Sequence, residues 1–339
     1  MPSFVIGSYF AGDNVSNIIK SCVESQRHDN SKCRRMTARN DLPTVVNNNC
    51  TTACLTRSMD VVTGLTLQIK DDLNESSVRE HIEYAIDKIV LQIGDIDYVT
   101  MSGHVAAMLL TDAPAISVVS LPLFQKFFAG GGLPIVALSR QQVQIHVHLN
   151  PNASVTRIVM DGYDLLNADR MDYANHHHKR LFEQYPTWQL RNCWNPTTHT
   201  VIRIQPESPS TLSRLTCLLI TVSYTDSVLT FHPFVSCTLC IAGNNMVTYT
   251  AQEMRTITWA RAGIAHIPPA TTYSCTYCYA IADTPLNGVG FEGDIKFQYS
   301  LNFEAAKATP SDYTVDIVAC TTKLMQIKKG SSFISWNNF

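Results

Sequence analysis

The sequence is dominated by short segments in which apolar and polar residues alternate, with turn residues between them. The run GLTLQIK over Gly64–Lys70 alternates leucine and isoleucine with threonine and glutamine, which is the pattern of a strand with one buried face. Eight further segments follow the same logic: 89–93, 142–149, 200–204, 215–223, 234–241, 273–281, 295–303 and 313–327. Because turn clusters such as Asn150-Pro151-Asn152 separate them, the sequence predicts an all-β protein built from sandwiches or barrels.

Helical patterns are few and local. Ser76–Ala85 predicts one short helix, with a serine cap and an acidic residue in its first turn. Asn167–Tyr185 is the strongest helix candidate, because it begins at an Asn and ends before Pro186. This helix lies near the middle of the chain, where a connector between two domains would lie. We therefore expect an N-terminal arm over 1–44, a first β domain with the connecting helix over 45–184, and a second over 185–339.

The composition is that of a globular chain with little charge. Hydrophobic residues make up 45% of the 339 residues, charged residues only 16%, and the formal net charge is -2. No basic stripe or tail is present, so direct binding of nucleic acid is not expected. A low charge fraction suits a protein that packs against copies of itself. Neither a secretory signal nor an apolar run of membrane-spanning length is found, which predicts a cytosolic protein whose eleven cysteines are mostly buried thiols.

Two CxxC pairs, Cys237/Cys240 and Cys275/Cys278, have a spacing that zinc sites use. Both pairs lie inside strand-like runs, where positions i and i+3 point to opposite faces. Buried thiols are therefore the favoured interpretation, and zinc binding is the alternative.

Histidines form two further groupings. His146 and His148 alternate on one predicted strand, so both imidazoles share a face, as in cupin-type metal sites. The Glu that a cupin motif would add is missing from 149–153, which favours two polar residues on the outer face of a half-buried strand. Within the predicted helix, the consecutive residues His176–His178 cannot chelate together, and we expect a solvated or interface-facing run.

Motifs of catalysis are not found in the sequence. There is no GxSxG elbow, no P-loop and no GxGxxG. Gly130–Gly132 is followed by Leu133-Pro134 rather than by Lys-Ser/Thr, which predicts a loop that links two strands. The chain is therefore expected to be no enzyme, with no catalytic residue, no cofactor and no metal.

The segment Ser120–Ile145 is the most informative part of the chain. It contains Leu121-Pro122-Leu123-Phe124, then Phe127-Phe128, a glycine loop and Leu133-Pro134-Ile135-Val136-Ala137-Leu138. In this order the elements resemble a stretch of the major capsid proteins of nucleocytoplasmic large DNA viruses. Four more segments resemble that family in the same order: 81–97, 160–184, 277–303 and 313–339.

The resemblance implies two consecutive antiparallel jelly-roll sandwiches, a double jelly roll, with a short connecting helix. It also implies a structural major capsid protein whose homotrimers are pseudo-hexameric capsomers of a large icosahedral shell. Its partners would be itself and neighbouring capsomers, minor capsid proteins and the inner viral membrane. The chain would then be found in the virion and assembled in the host cytoplasm.

Three alternatives stay open at this point. A scaffold protein of immature virions can use the same fold and trimer. A cupin-like metalloenzyme would need a metal at His146 and His148, and a carbohydrate-binding jelly roll would bind glycans at exposed loops.

Overall fold

The computed structural model describes residues 35–55, 59–71, 78–109, 118–128, 131–191, 200–204, 214–224, 234–241, 244–262, 274–281, 289–290, 295–301 and 313–334. Contacts group these residues into two units. The first unit contains the described residues up to Gln184 and those from Lys323, and the second contains those from Tyr185 to Thr322. Part of the segment expected to be an arm forms a strand, and residues 1–34 lie outside the described residues. The domain limits 1–44, 45–184 and 185–339 stay a prediction.

The first unit consists mostly of strands. In chain order its elements are β1 (Arg35–Asp41), β2 (Thr44–Asn47), β3 (Cys50–Cys54), β4 (Val61–Asp71), α1 (Val78–Ala85), β5 (Ile86–Ile93), β6 (Ile96–Ser102), α2 (Gly103–Leu109), β7 (Val118–Leu123), α3 (Gln125–Phe128), β8 (Leu133–Pro134), a 3-10 turn (Ile135–Ala137), β9 (Val143–Leu149), β10 (Ala153–Leu165), α4 (Asn167–Asn175) and β11 (His178–Gln184).

Two antiparallel sheets contain most of these strands. The first sheet has the order β1-β10-β4-β7, with β8 paired to β4, and the second has the order β2-β3-β9-β5-β6. Alternation decides which side of each sheet is buried: Leu65 and Leu67 of β4 and Ile145 and Val147 of β9 are at most 2% exposed. Strands such as β4 and β9 therefore contribute one apolar face to the core, as the alternating sequence predicts.

The second unit has the same plan. Its elements are β12 (Thr187–Arg191), β13 (Thr200–Ile204), β14 (Arg214–Tyr224), β15 (Phe234–Ile241), β16 (Asn244–Thr250), α5 (Ala251–Arg261), β17 (Ser274–Ala280), β18 (Val289–Gly290), β19 (Ile295–Leu301) and most of β20 (Tyr313–Lys328). One antiparallel sheet contains β12, β20, β14 and β17, and the other has the order β13-β19-β15-β16. Beyond Thr322, the end of β20 forms a hairpin with β21 (Ser331–Ile334) in the first unit.

The predicted central helix is only half right. Helix α4 ends at Asn175, and residues 178–184 form the strand β11. In β11, His178, Arg180 and Phe182 are buried while Lys179 and Leu181 are half-buried, which is the two-residue period of a strand. The inward residues include a His and an Arg, so the alternation of apolar residues does not indicate that this side of the strand is buried.

An aromatic cluster explains why the segment Ser120–Ile145 is rich in phenylalanine. Phe127 of α3 contacts Tyr98 of β6 and Phe182 of β11, with ring centroids 6.3 and 5.9 Å apart, and the rings of Tyr98 and Phe182 are 5.3 Å apart. Burial raises the pKa of Tyr98 to about 12. Such edge-on and tilted contacts stabilise a core by more than the burial of their apolar surface alone would.

Helix α5 begins with a reciprocal cap. The hydroxyl of Thr250 accepts the backbone N–H of Glu253 (3.3 Å), and a carboxylate oxygen of Glu253 accepts the backbone N–H of Thr250 (2.8 Å). This is the capping box, Thr followed three residues later by Glu. The bonds from the Thr250 backbone and hydroxyl lower the pKa of Glu253.

Replacing Thr250 by alanine is expected to lower the free energy of unfolding by about 1 kcal/mol, because the N-terminal turn of α5 loses its cap. Denaturation with urea at neutral pH measures this difference. Because the pKa of Glu253 is lowered, the carboxylate's share is present at neutral pH. The stabilisation that the Glu253 carboxylate contributes begins to be lost as the pH falls below 4.5, the ordinary pKa of a Glu. It is lost fully once the pH has fallen below the lowered pKa of Glu253. If the free energies of unfolding of wild type and Thr250→Ala differed by the same amount at pH 7 and at pH 2, the role of the carboxylate would be contradicted.

Candidate functional site

The described thiols of the two CxxC pairs, Cys237, Cys275 and Cys278, do not come together as a metal site. Cys237 lies on β15, which pairs with β16 and β19, whereas Cys275 and Cys278 lie on β17, which pairs with β14 in the other sheet. Burial raises the pKa of Cys237 well above its ordinary value, and the Cys278 thiol donates to the backbone oxygen of Thr258 (3.8 Å). Within the described residues, no group of three or more His, Cys, Asp or Glu side chains is placed to hold a metal ion.

His146 and His148 lie together on the outer face of β9, as their alternation predicts. With its proton on Nε2, His146 donates to Gln92 Oε1 (3.2 Å) and accepts from the Thr52 hydroxyl at Nδ1 (3.1 Å). The Nε2 atom of His148 lies 3.8 Å from Cys50 Sγ. Burial, together with the nearby Lys88, lowers the pKa of His148. His146 therefore acts as part of a polar network that crosses the strands β3, β9 and β5.

The expectation for His176–His178 is wrong at His178. Its side chain is fully buried, and its Nε2 atom donates to the backbone oxygen of Tyr173 (2.8 Å). His177 is half-buried and donates to Gln326 Oε1 (2.8 Å), and burial lowers its pKa. The chain turns from α4 into β11 at this point, so consecutive residues face different surroundings. The contacts of His177 and His178 therefore help to hold the turn from α4 into β11.

Charge is unevenly distributed over the outer face of the second sheet in the first unit. The adjacent strands β2, β3 and β9 contain no Lys, Arg, Asp or Glu. We call the outward side of these strands, with Gln92 of β5, the neutral face. Two exposed charged residues border it on the same side of the sheet: Lys88 of β5 lies opposite His148, and Asp97 of β6 accepts a hydrogen bond from Gln92 (3.0 Å). The side chains of the neutral face on β3, β9 and β5 are half-buried, and all of β2 is exposed. The residues that form it are Val45, Asn47, Cys50, Thr52, Cys54, Gln92, Gln144, His146 and His148.

The outer face of the other sheet in the same unit is charged. Arg157 pairs with Asp41 (2.6 Å) and Arg39 with Asp161 (3.5 Å), across β10 and β1. Lys70 of β4 adds a further exposed charge. Such exposed ion pairs are typical of a solvated surface and contribute little to stability. The outer faces of both sheets therefore carry charge, and in the second sheet charge is missing only from β2, β3 and β9.

Strand β2 is the outer strand of the second sheet. All four of its residues are exposed, with Val45 61% and Val46 65% exposed. In the part of the chain that the structure describes, no strand pairs with its outer edge. An open edge carries unpaired backbone N–H and C=O groups and is a template for pairing with another chain.

The edge strand β17 of the second unit is covered instead. Helix α5 lies against it, the Arg255 guanidinium donates to the backbone oxygen of Thr276 (2.8 Å), and the Thr258 hydroxyl donates to that of Cys278 (2.7 Å). Side chains of α5 thus satisfy carbonyl groups of β17. This is one of the ways in which proteins protect a sheet edge, and it makes the open edge of β2 notable by contrast.

Comparison with solved structures identifies the fold. The chain matches VP54 of the virus PBCV-1 with a TM-score of 0.67 and 11% identity, over 91% of this chain and 98% of that chain. It matches the major capsid protein of Faustovirus with a TM-score of 0.56 and 8% identity, over 95% and 99% of the two chains. The major capsid protein P2 of bacteriophage PM2 gives 0.50 and 11% identity, over 90% and 100%.

These matches extend over both units and nearly the full length of each compared chain. The chain therefore has the double jelly-roll fold, and the fold class predicted from the sequence is confirmed. Neither protein-family models nor curated protein sequences give a match. Of the helices that the structure describes, none has the length and apolar character needed to cross a membrane.

Proposed function

We propose that this chain is a major capsid protein of the nucleocytoplasmic large DNA virus type, a structural protein without enzymatic activity. Its trimers would be pseudo-hexameric capsomers of a large icosahedral shell. The observation that carries the proposal is the full-length match of two jelly-roll units to capsid proteins of PBCV-1 and Faustovirus. Because a fold alone hosts many functions, the ordered sequence resemblance over Ser120–Ile145 is the second support.

The geometry of the fold suits this function. Two β units in one chain give six in a trimer, so three copies can fill a nearly hexagonal tile. We expect copies of the chain to contact each other within and between such tiles. Minor capsid proteins and the inner viral membrane would be the further partners, the virion the final location, and the host cytoplasm the place of assembly.

The mass of the purified protein in solution tests the proposal. Light scattering after gel filtration is expected to give three times the chain mass of 37.7 kDa, and negative-stain images of the same peak are expected to show hexagonal outlines. A monomer at micromolar concentration would contradict the trimeric capsomer. The double jelly-roll fold would stand in that case.

A further inference from the structure

We propose that Cys217 and Cys320 are a site of oxidative modification, where a small oxidant such as hydrogen peroxide joins the two thiols in a disulfide that stabilises the second unit. Both cysteines are thiols in this structure. The bond would link β14 to β20, two neighbouring strands of one sheet. The inference goes beyond the proposed function and does not depend on it, because both cysteines belong to one copy of the chain.

The register of the sheet places the two cysteines directly opposite each other. Cys217 of β14 is the partner of Cys320 of β20 in the antiparallel ladder, and the hydroxyl of Thr216 donates to the backbone oxygen of Cys320 (2.9 Å). Opposite residues of an antiparallel pair have side chains on the same face, with Cα atoms about 4.5 or 5.5 Å apart. Disulfides span Cα distances of about 4.4–6.8 Å, so the bond can form between the strands as they lie.

Another opposite pair on the same face shows that side chains meet there. Thr221 lies four residues after Cys217 on β14, so its side chain points to the same side of the sheet. The Thr221 hydroxyl lies 3.0 Å from that of Thr276, the residue opposite it on β17. Side chains of opposite residues are therefore close enough to bond on this face.

No other pair among the seven cysteines that the structure describes has this relation. Each of the other five faces a residue of another type across its ladder: His148 for Cys50, Gln144 for Cys54, Tyr249 and Tyr299 for Cys237, Val222 for Cys275 and Leu219 for Cys278. Cys278 shares the face of Cys217, but it is displaced by two residues from the position opposite Cys217. Such diagonal neighbours have Cα atoms about 7–8 Å apart, which is too far for a disulfide.

The chemistry balances with one molecule of hydrogen peroxide. The sulfur of one cysteine attacks a peroxide oxygen, the O–O bond breaks, and a sulfenic acid and one water result. The sulfur of the opposite thiol then attacks the sulfenic sulfur, so that the S–S bond forms, the S–O bond breaks and a second water leaves. The two thiols lose two electrons in total, which reduce the peroxide, and both thiol protons end in the two waters.

Burial decides which oxidant fits and how well the bond persists. Cys217 and Cys320 are each 1% exposed, which favours an oxidant about the size of water over a bulky disulfide. Buried thiols react slowly, so we expect their oxidation to follow that of the half-buried Cys50 and Cys54. The same burial shields the finished bond from reducing thiols. For a capsid protein the change would follow release of the particle, because disulfides persist at virion surfaces and are rare in the cytosol.

Peptide mapping of the oxidised full-length protein tests the inference. The reduced protein is incubated with hydrogen peroxide, the remaining thiols are alkylated under denaturing conditions, and the chain is digested with trypsin and chymotrypsin. These proteases separate Cys217 from Cys237, since Tyr224 lies between them. Mass spectrometry without reductant is expected to find the Cys217 and Cys320 peptides linked as the main product of both, and dithiothreitol is expected to release them.

Two alanine variants provide the matched comparison. Cys320→Ala removes the opposite thiol, so the sulfenic acid of Cys217 has no thiol to condense with, and dimedone added with the denaturant is expected to label it. Cys278→Ala removes a buried thiol of the same face, and its linked peptides are expected to equal those of wild type. If Cys320→Ala fails to fold, Cys217→Ala gives the same test, with the label on Cys320.

Thermal unfolding measures the consequence of the bond. The disulfide closes a loop of about 100 residues, which restricts the unfolded chain. Oxidation is expected to raise the unfolding midpoint of wild type and Cys278→Ala by about 5–10 °C and to leave that of Cys320→Ala unchanged.

The inference is wrong if Cys217 and Cys320 are still recovered as thiols once Cys50 and Cys54 are oxidised, both at room temperature and just below the unfolding midpoint, where local opening admits peroxide. It is also wrong if either cysteine is linked mainly to another one, or if the link forms without raising the midpoint. A chain that forms the link but stays monomeric would support this inference and contradict the proposed capsomer, so the two can fail separately.

Discussion

Replacing Asp60 by alanine is expected to lower the free energy of unfolding by about 2–3 kcal/mol, because a buried carboxylate with charge-assisted hydrogen bonds is removed. Asp60 is 3% exposed. One carboxylate oxygen accepts the backbone N–H of Leu165 (2.9 Å), and the other pairs with Arg170 Nε (2.8 Å). Asp60 also donates its own N–H to Asp164 (3.2 Å). It thus joins the segment before β4, the end of β10 and the helix α4.

The loss follows from the groups that stay behind. Without the carboxylate, the buried N–H of Leu165 has no acceptor, and leaving it unsatisfied costs about 1–3 kcal/mol. Arg170 is half exposed, so its guanidinium can turn to water at little cost. Urea denaturation of wild type and Asp60→Ala measures the difference.

Two further variants separate the contributions at this site. Asp60→Asn keeps an oxygen for Leu165 and is expected to lose less than Asp60→Ala. Arg170→Met removes the partly exposed partner but leaves the buried carboxylate without its cation, so it is expected to cost about 1–3 kcal/mol. If Asp60→Asn, which keeps an acceptor for Leu165, lost as much as Asp60→Ala, the bond to Leu165 would not be the source of the stability.

The strands could be predicted from the sequence because the burial of one strand face is visible in the local alternation of apolar and polar residues. Gly64–Lys70 lies within β4, and the predicted segment 234–241 coincides with β15. The strand β11 was missed because its inward positions include His178 and Arg180, whose burial depends on contacts elsewhere in the fold. Polar inward residues look like a solvated helix to any pattern that scores apolar period alone.

The neutral face could not be predicted from the sequence, because it depends on which strands are neighbours. Thr52 and His146 are 94 residues apart in the chain and meet only because β3 pairs with β9. The sequence indicated the outward pair His146 and His148, and the low charge of the whole chain. It gave no indication that the uncharged strands β2, β3 and β9 lie next to one another in the sheet. Register and strand order, which are long-range properties, supply that information.

Replacing Gly103 by alanine is expected to lower the free energy of unfolding by about 3 kcal/mol, since an added methyl group has no space there. Gly103 is the first residue of α2, directly after Ser102, whose hydroxyl accepts the N–H of Val105 (3.3 Å). A Cβ atom at Gly103 would lie 2.9 Å from the backbone oxygen of Glu83 and closer still to that of Ile86. Both oxygens are backbone atoms, so no side-chain rotation can relieve the overlap.

Relieving this overlap would also disturb the corner between α1 and α2. His104 Nδ1 lies 2.7 Å from a Glu83 carboxylate oxygen, so moving α2 away from α1 also stretches this pair. Gly64→Ala is the matched control: its Cβ would meet only the Cβ of Asp161, at an ordinary 3.9 Å. Because alanine suits a strand better than glycine, this control is expected to be neutral or to stabilise by about 0.5 kcal/mol. Thermal and urea unfolding of the two variants decide the matter. If Gly103→Ala and Gly64→Ala were equally stable, the backbone at the α1–α2 corner would have moved to make room for the methyl group. The close approach of α2 to α1 would then not be required for the fold.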